Sequence, residues 1–121
     1  MRLPRKCSMT KRADFTRVKK TGRAKPGRFV ILSTLPDPEL DSIRTGFITT
    51  RRSGKAHERV LRRRRFRALV QENAPSFADP RRFLVTIARP GASKASYAEL
   101  AKDWLQQAKR LGLFSPTDEK P

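Results

Sequence analysis

One segment restricts the possible folds of this chain more than any other, because it concentrates positive charge. Arg51–Arg67 reads RRSGKAHERVLRRRRFR, with nine Lys or Arg and a single acid, Glu58. From Lys55 to about Glu72 there is neither Gly nor Pro, and the Arg, Ala and Leu content favours a helix that Pro75 stops. Like charges four residues apart destabilise an isolated helix. The segment therefore predicts a helix whose partner is a polyanion.

Helical spacing places these arginines on defined faces. Arg59, Arg63 and Arg67 lie four residues apart, so they are predicted to form one ridge, which we call the arginine ridge. Charge on the other faces comes from three further arginines: Arg62, Arg64 and Arg65. The planar guanidinium suits bidentate phosphate contacts and stacking on exposed bases. We therefore expect RNA with irregular structure as the partner, rather than bare duplex DNA.

The whole chain has the same electrostatic bias. Its 121 residues include 29 Lys and Arg against 11 Asp and Glu, a net charge of +18, and a length that fits one domain. No apolar run of membrane-spanning or signal-peptide length is present, and no amphipathic anchor stands out, so we expect a cytoplasmic protein without a membrane partner. With one cysteine, Cys7, and one histidine, His57, the chain lacks a Cys/His zinc site, and Cys7 is expected to be a spectator.

Periodicity and turn residues predict six elements in the order α-β-β-α-β-α, within one RNA-binding α/β domain spanning residues 10–114. Residues 1–9 and 115–121 are predicted to be flexible tails. Thr10 is expected to cap the first helix, Ser96-x-x-Glu99 is a capping box, and Trp104 is expected in the core. The predicted elements are, in chain order, a helix over Lys11–Lys20, strands over Arg28–Thr34 and Ile43–Thr50, a helix over Lys55–Glu72, a strand over Arg82–Ala88 and a helix from Ser96 to Gly112.

A self-sufficient protein enzyme is not indicated. Asp37 and Glu39 lie in an acidic loop between the first two predicted strands, and His57 and Glu58 are helix neighbours that do not face each other. The chain has no Gly-rich phosphate loop and no nucleophile motif. Any catalysis associated with this chain is therefore expected to belong to a partner.

Several motifs together resemble the bacterial ribonuclease P protein family, over roughly residues 3–112. LPR followed by TKRADFTRVKKTGR resembles its N-terminal signature through Asp14, Phe15, Val18 and Gly22. FVILSTL resembles the first strand of the family, and RTGFITTRRSGKA resembles the second strand running into the start of a helix. The resemblance implies an α-β sandwich with a mixed sheet and a left-handed βαβ crossover.

The family's Arg-Asn-Arg triplet is the point of departure. Arg59 matches its first position, but Val60 and Leu61 replace the Asn and the second Arg. Arg62 falls where the family usually has an apolar residue, while Arg63, Arg64 and Arg67 match basic positions. Either the helix is slightly rotated, or Arg62 supplies the missing charge.

The resemblance implies that a partner RNA performs Mg²⁺-dependent hydrolysis at the 5′ end of mature tRNA, while the protein binds the single-stranded leader of precursor tRNA and neutralises phosphate charge. Phe15 matches an aromatic of the leader groove, although it could also be a core residue, whereas Lys19 and Leu32 stand where other members often have aromatics. One alternative is a ribosomal or ribosome-associated protein. Another is a DNA-binding module, which would need a recognition helix carrying Asn or Gln among its base-reading side chains, whereas the Arg-rich helix has only Gln71 and Asn73, near its end. The predicted RNA-binding residues are Phe15, Val18, Lys19, Phe29, Ile31, Arg51, Arg52, Lys55, Arg59, Arg62, Arg63, Arg64 and Arg67.

Overall fold

A computed structural model describes residues 5–49 and 54–114. It contains three α-helices, which are α1 (Arg12–Thr21), α2 (Ala56–Asn73) and α3 (Tyr97–Arg110). It contains four strands, which are β1 (Arg23–Pro26), β2 (Val30–Pro36), β3 (Arg44–Ile48) and β4 (Arg82–Ala88). Short 3₁₀ helices occupy Arg5–Cys7, Ala74–Ser76 and Pro90–Lys94.

The strands form one mixed sheet in the order β1-β2-β4-β3. β2 is antiparallel to both β1 and β4, and β3 is parallel to β4, so β3, α2 and β4 form a βαβ unit. The mixed α/β class is confirmed, and the left-handed sense of the crossover stays a prediction. Of the predicted boundaries, Arg82–Ala88 is reproduced without change and the others differ by a few residues.

The sequence pattern missed strand β1. Its residues, RAKP, are mostly exposed and have no apolar alternation, and its last residue is a proline. It pairs along one side with β2 and forms an edge of the sheet. Edge strands tolerate proline and charge because one row of their backbone groups faces solvent. Strand β1 buries few side chains, so its sequence lacks the apolar alternation by which strands are recognised.

Helices cover both faces of the sheet. On one face, Val18 of α1 packs with Phe83 and Val85 of β4. On the other face, α2 and α3 bury a larger cluster that includes Phe66 and Trp104. Trp104 is fully buried and its indole N–H donates to the hydroxyl of Thr86 at 3.2 Å, which confirms its predicted place in the core.

Helix caps agree with the sequence at one helix and differ at another. The Ser96 hydroxyl accepts the Glu99 N–H at 3.1 Å and the Glu99 carboxylate accepts the Ser96 N–H at 2.9 Å, so the predicted capping box is present at the start of α3. At α1 the N-cap is Lys11 and makes no side-chain cap hydrogen bond, so the predicted cap at Thr10 is wrong.

The described end of the predicted N-terminal tail is packed against β3. Cys7 and Met9 are buried, Ser8 pairs with Thr45, and the Met9 N–H donates to the Thr45 carbonyl at 2.9 Å. This segment covers the outer edge of β3, whose backbone groups would otherwise face solvent. The packed region therefore begins before residue 10, while residues 1–4 and the predicted tail 115–121 lie outside the described residues. No helix among the described residues has the length and apolar character needed to cross a bilayer.

Candidate nucleic-acid interface

A groove with aromatic walls opens between α1 and the edge strand β3. Its volume is about 340 Å³, and we call it the aromatic groove; it is lined by Thr10, Arg12, Phe15, Phe47 and Ile48. Phe15 lies close to β3 because residue 46 there is glycine: a Cβ at Gly46 would lie 2.5 Å from the Phe15 ring. Both Phe15 and Phe47 are half-buried, but Phe15 packs on the α1 side whereas the Phe47 ring stacks on Phe66 of α2, on the other side of β3.

The groove continues as an apolar floor across one end of the sheet. Ile48 of β3 pairs with Ile87 of β4, which pairs with Ile31 of β2. Side chains opposite one another on neighbouring strands share a face, so these three isoleucines lie on the α1 side. All three are half-buried. Of the predicted RNA-binding residues, Ile31 is therefore in line with the groove that contains Phe15.

The arginine ridge borders the same groove. A guanidinium N–H of Arg63 donates to the Thr49 hydroxyl at 2.6 Å, just after β3, and the Arg67 guanidinium lies 5.7 Å from the centre of the Phe47 ring. A guanidinium N–H of Arg59 donates to the Gly54 carbonyl at 2.9 Å. The ridge thus runs along the β3 side of α2, and Phe47 joins it to the aromatic groove.

Arg62 is in a different environment from the ridge. It is 3% exposed and belongs to the inward face of α2 with Phe66, Leu69 and Val70. Burial lowers the pKa of its guanidinium, and the nearby Glu58 carboxylate opposes this effect. The expectation that Arg62 contacts RNA or replaces the missing surface charge is therefore corrected, because position 62 faces the sheet. Its guanidinium lies near Gly54, whose φ of +130° favours glycine.

Replacing Arg62 by methionine tests this assignment. Exchanging Arg62 for an apolar side chain of similar length takes a favourable partner away from the Glu58 carboxylate, and removing one member of a buried charge pair is destabilising. We expect Arg62→Met to lower the free energy of unfolding by about 1–3 kcal/mol in urea denaturation, with the RNA affinity of the folded protein unchanged. Arg63→Met is the matched control, and it should weaken RNA binding without a loss of stability. An Arg62→Met protein that folds normally but loses RNA affinity as Arg63→Met does would contradict the buried role.

The remaining predicted residues are distributed over several places. Val18 is 2% exposed and packs in the core, so its assignment as a direct RNA contact is corrected. Phe29 lies away from the groove and packs on the α2 and α3 side of the sheet. Three predicted residues are solvent-exposed or partly so on the helices: Lys19, Lys55 and Arg64. Arg51 and Arg52 lie outside the described residues.

The sequence analysis missed Phe47, Ile48 and Arg12. The first two were recognised only as part of a strand, and the apolar pattern does not show that this strand is an edge beside the arginine ridge. Val60 and Leu61, which interrupt the family triplet, are 42% and 48% exposed, so apolar side chains occupy the outer surface of α2 there.

Asp37 and Asp41 of the acidic loop are engaged in ion pairs. Asp37 lies 3.3 Å from Arg17, and Asp41 lies 3.3 Å from Lys6 and 3.5 Å from Arg44. The hydrogen bonds and charge of Lys6 are the main reason that the pKa of Asp41 is lowered. These carboxylates therefore offset basic side chains of the protein itself.

Comparisons with known proteins agree with the resemblance. A family model described as Ribonuclease P matches residues 3–112. The ribonuclease P protein component of Chloroflexus aggregans is 33% identical over 90% of this chain and 80% of its own, and that of Syntrophomonas wolfei is 30% identical over 98% of both. The Staphylococcus aureus RNase P protein structure has a TM-score of 0.83 at 22% identity, covering 90% of this chain and 98% of its own.

These comparisons support the ribonuclease P interpretation and not the ribosomal alternative. The sequence match covers most of the chain, and the four-stranded mixed sheet with three helices has the fold of the Staphylococcus aureus protein. The chain belongs to the ribonuclease P protein family.

Proposed function

We propose that this chain is the RNA-binding protein subunit of a cytoplasmic ribonuclease P, which assists a catalytic RNA in removing the 5′ leader of precursor tRNA. The aromatic groove binds unpaired leader nucleotides, and the arginine ridge binds phosphates. The observation that carries this proposal is their junction at Phe47, a residue of β3 that lines the groove and whose ring lies 5.7 Å from the Arg67 guanidinium.

The chemistry of the two parts suits single-stranded RNA. Each nucleotide presents an aromatic face and a negative phosphate. Half-buried Phe15 and Phe47 offer ring surface on which bases can stack without regard to sequence. Arg67 stands beside the Phe47 ring and Arg63 beside Thr49 at the end of β3, and both can neutralise the backbone. Leader binding of this kind is tolerant of sequence, as an activity directed at many precursor tRNAs requires.

The described side chains do not form a catalytic metal site. Within residues 5–49 and 54–114, no group of three or more His, Cys, Asp or Glu side chains is placed to hold a metal ion. His57 is exposed, and the Glu58 carboxylate accepts the Lys55 N–H at 2.7 Å, which lowers the Glu58 pKa. We therefore assign the Mg²⁺ required for the hydrolysis to the RNA subunit, and to this chain the tasks of binding and orienting.

Reconstitution tests the proposal. Purified, RNA-free protein is expected not to cleave precursor tRNA, because its described residues offer no catalytic constellation. With the ribonuclease P RNA from the same genome and Mg²⁺, cleavage should occur at the mature 5′ end, and at a lower Mg²⁺ concentration than the RNA requires alone. Cleavage products are mapped by primer extension. Nuclease activity of the protein alone, or no effect of the protein on the Mg²⁺ requirement, would contradict the proposal.

A further inference from the structure

A second group of cations surrounds the turn between β1 and β2, at the opposite edge of the sheet from the aromatic groove. It consists of Arg28, Arg89, Lys102 and Arg110, all exposed, and we call it the turn cluster. The Arg89 guanidinium donates to the Gly27 carbonyl at 2.8 Å, and the Arg110 guanidinium lies 3.5 Å from the Pro26 carbonyl. Backbone carbonyls thus hold these two guanidinium groups without neutralising their charge.

A buried network makes this arrangement rigid. Asp103 is 7% exposed, and its carboxylate accepts the N–H groups of Phe29 and Val30 at 2.8 and 3.0 Å. The Gln107 amide donates to Asp103 at 3.1 Å and accepts from the Arg110 guanidinium at 2.7 Å. The turn and the Arg110 side chain are therefore both fixed relative to α3, so little side-chain entropy remains to be lost on binding.

Two carboxylates, Asp103 and Glu99, offset part of the charge of the four cations in the cluster. Of the described acids beside it, Asp103 is buried and occupied by backbone amides, and Glu99 is held by the Ser96 N–H in the cap of α3. A depression of about 310 Å³ lies between Arg28 and Lys102, with Phe29, Glu99, Asp103 and Gln106 completing its lining. The Arg28 guanidinium lies 5.1 Å from the centre of the Phe29 ring, and its charge also helps to lower the pKa of the nearby Glu99 carboxylate.

We propose that the turn cluster is a second RNA-binding surface, which contacts the phosphate backbone of a helical segment of the ribonuclease P RNA. This inference rests on the proposed function and adds a contact to it. The outer strands of a four-stranded sheet are about 14 Å apart, and the cluster lies on the α3 side whereas the groove lies on the α1 side. A leader in the groove is therefore on a different face, and the cluster is left to another segment of RNA.

The salt dependence of binding tests this surface. For Arg89→Gln with Arg110→Gln, the slope of log affinity against log salt for the ribonuclease P RNA should become shallower by about 1.8, because two phosphate contacts are lost. The control is Lys6→Gln with Arg81→Gln, which removes the same charge from cations that already pair with Asp41 and Asp79, and its slope should equal that of the wild type. Equal slopes for the two double variants would overturn the inference.

Two further measurements keep the result unambiguous. Lys102 is solvent-exposed and lines the depression beside Arg28. Lys102→Gln is therefore expected to fold normally and to make the slope shallower by about 0.9, and an unchanged slope would also overturn the inference. A change seen only with long-leader precursor tRNA, and not with the RNA subunit, would assign the cluster to the leader and contradict the proposal. If the wild-type protein does not bind the RNA subunit, the proposed function itself fails.

Discussion

Replacing Asp103 by alanine is expected to lower the free energy of unfolding by about 3–5 kcal/mol, because several donors lose their acceptor together. The carboxylate accepts three consecutive backbone N–H groups, those of Arg28, Phe29 and Val30, and also the Gln107 amide. A buried donor left without an acceptor costs about 1–3 kcal/mol. Urea denaturation followed by circular dichroism measures the loss.

Two companion variants separate the acceptor role from general packing. Asp103→Asn keeps the shape and one oxygen acceptor, so it should lose only part of the stability that Asp103→Ala loses. Glu99→Ala removes an exposed cap on the same helix and should cost about 1 kcal/mol. If Asp103→Ala proved no more harmful than Glu99→Ala, the network around the β1–β2 turn would not be the main support of that edge.

Loss of either groove aromatic is expected to weaken precursor tRNA binding selectively. Base–aromatic stacking contributes about 1–3 kcal/mol per base, so Phe15→Ala and Phe47→Ala should each reduce affinity for precursor tRNA by about 5–150-fold in the reconstituted holoenzyme. Affinity for mature tRNA, which has no leader, should be nearly unchanged. Fluorescence titration with labelled precursor and mature tRNA measures the two affinities.

The alternative role of Phe15 is structural, since it packs with Met9, Val18 and Ile48. Phe15→Leu is the matched control because leucine retains apolar packing and removes the flat ring. If stacking is the function, Phe15→Leu should melt near the wild-type temperature and still lose discrimination between precursor and mature tRNA. A large loss of stability in Phe15→Ala, with discrimination retained in both variants, would show that Phe15 supports the fold and not the leader.

For α2, the sequence predicted the helix and its arginine ridge but not the burial of Arg62. Residue composition predicted the helix within about one residue at each end, and the four-residue spacing of Arg59, Arg63 and Arg67 gives the ridge seen beside β3. The same composition did not distinguish Arg62 from its neighbours. An arginine at an inward position is unusual, and its burial follows from the apolar side chains at 66, 69 and 70, which turn that face toward the sheet.

Some residues of the candidate site were likewise identified from the sequence, and others only from the structure. Phe15 was identified from its place in the family signature, whereas its partner Phe47 became visible only when β3 was placed at the sheet edge beside α2. Phe29 and Ile31 are two residues apart in sequence, yet Ile31 faces the α1 side while Phe29 packs on the other side, where the turn and Asp103 hold it. No short sequence motif predicts the turn cluster, because its cations are far apart in the chain: Arg28 precedes β2, Arg89 follows β4, and Lys102 and Arg110 lie in α3.

The sequence alone determined the charge of the protein, its main elements, its family and the absence of an obvious catalytic motif. These properties depend on composition, short-range periodicity and motifs that are local in the chain. Only the tertiary structure decided that β1 is an edge strand, that Arg62 is buried while Arg63 lies beside Thr49 at the end of β3, and that two cationic surfaces lie at opposite edges of the sheet. Strand order and helix orientation arise from contacts between residues far apart in the chain, and local patterns do not encode which distant partner each face will meet.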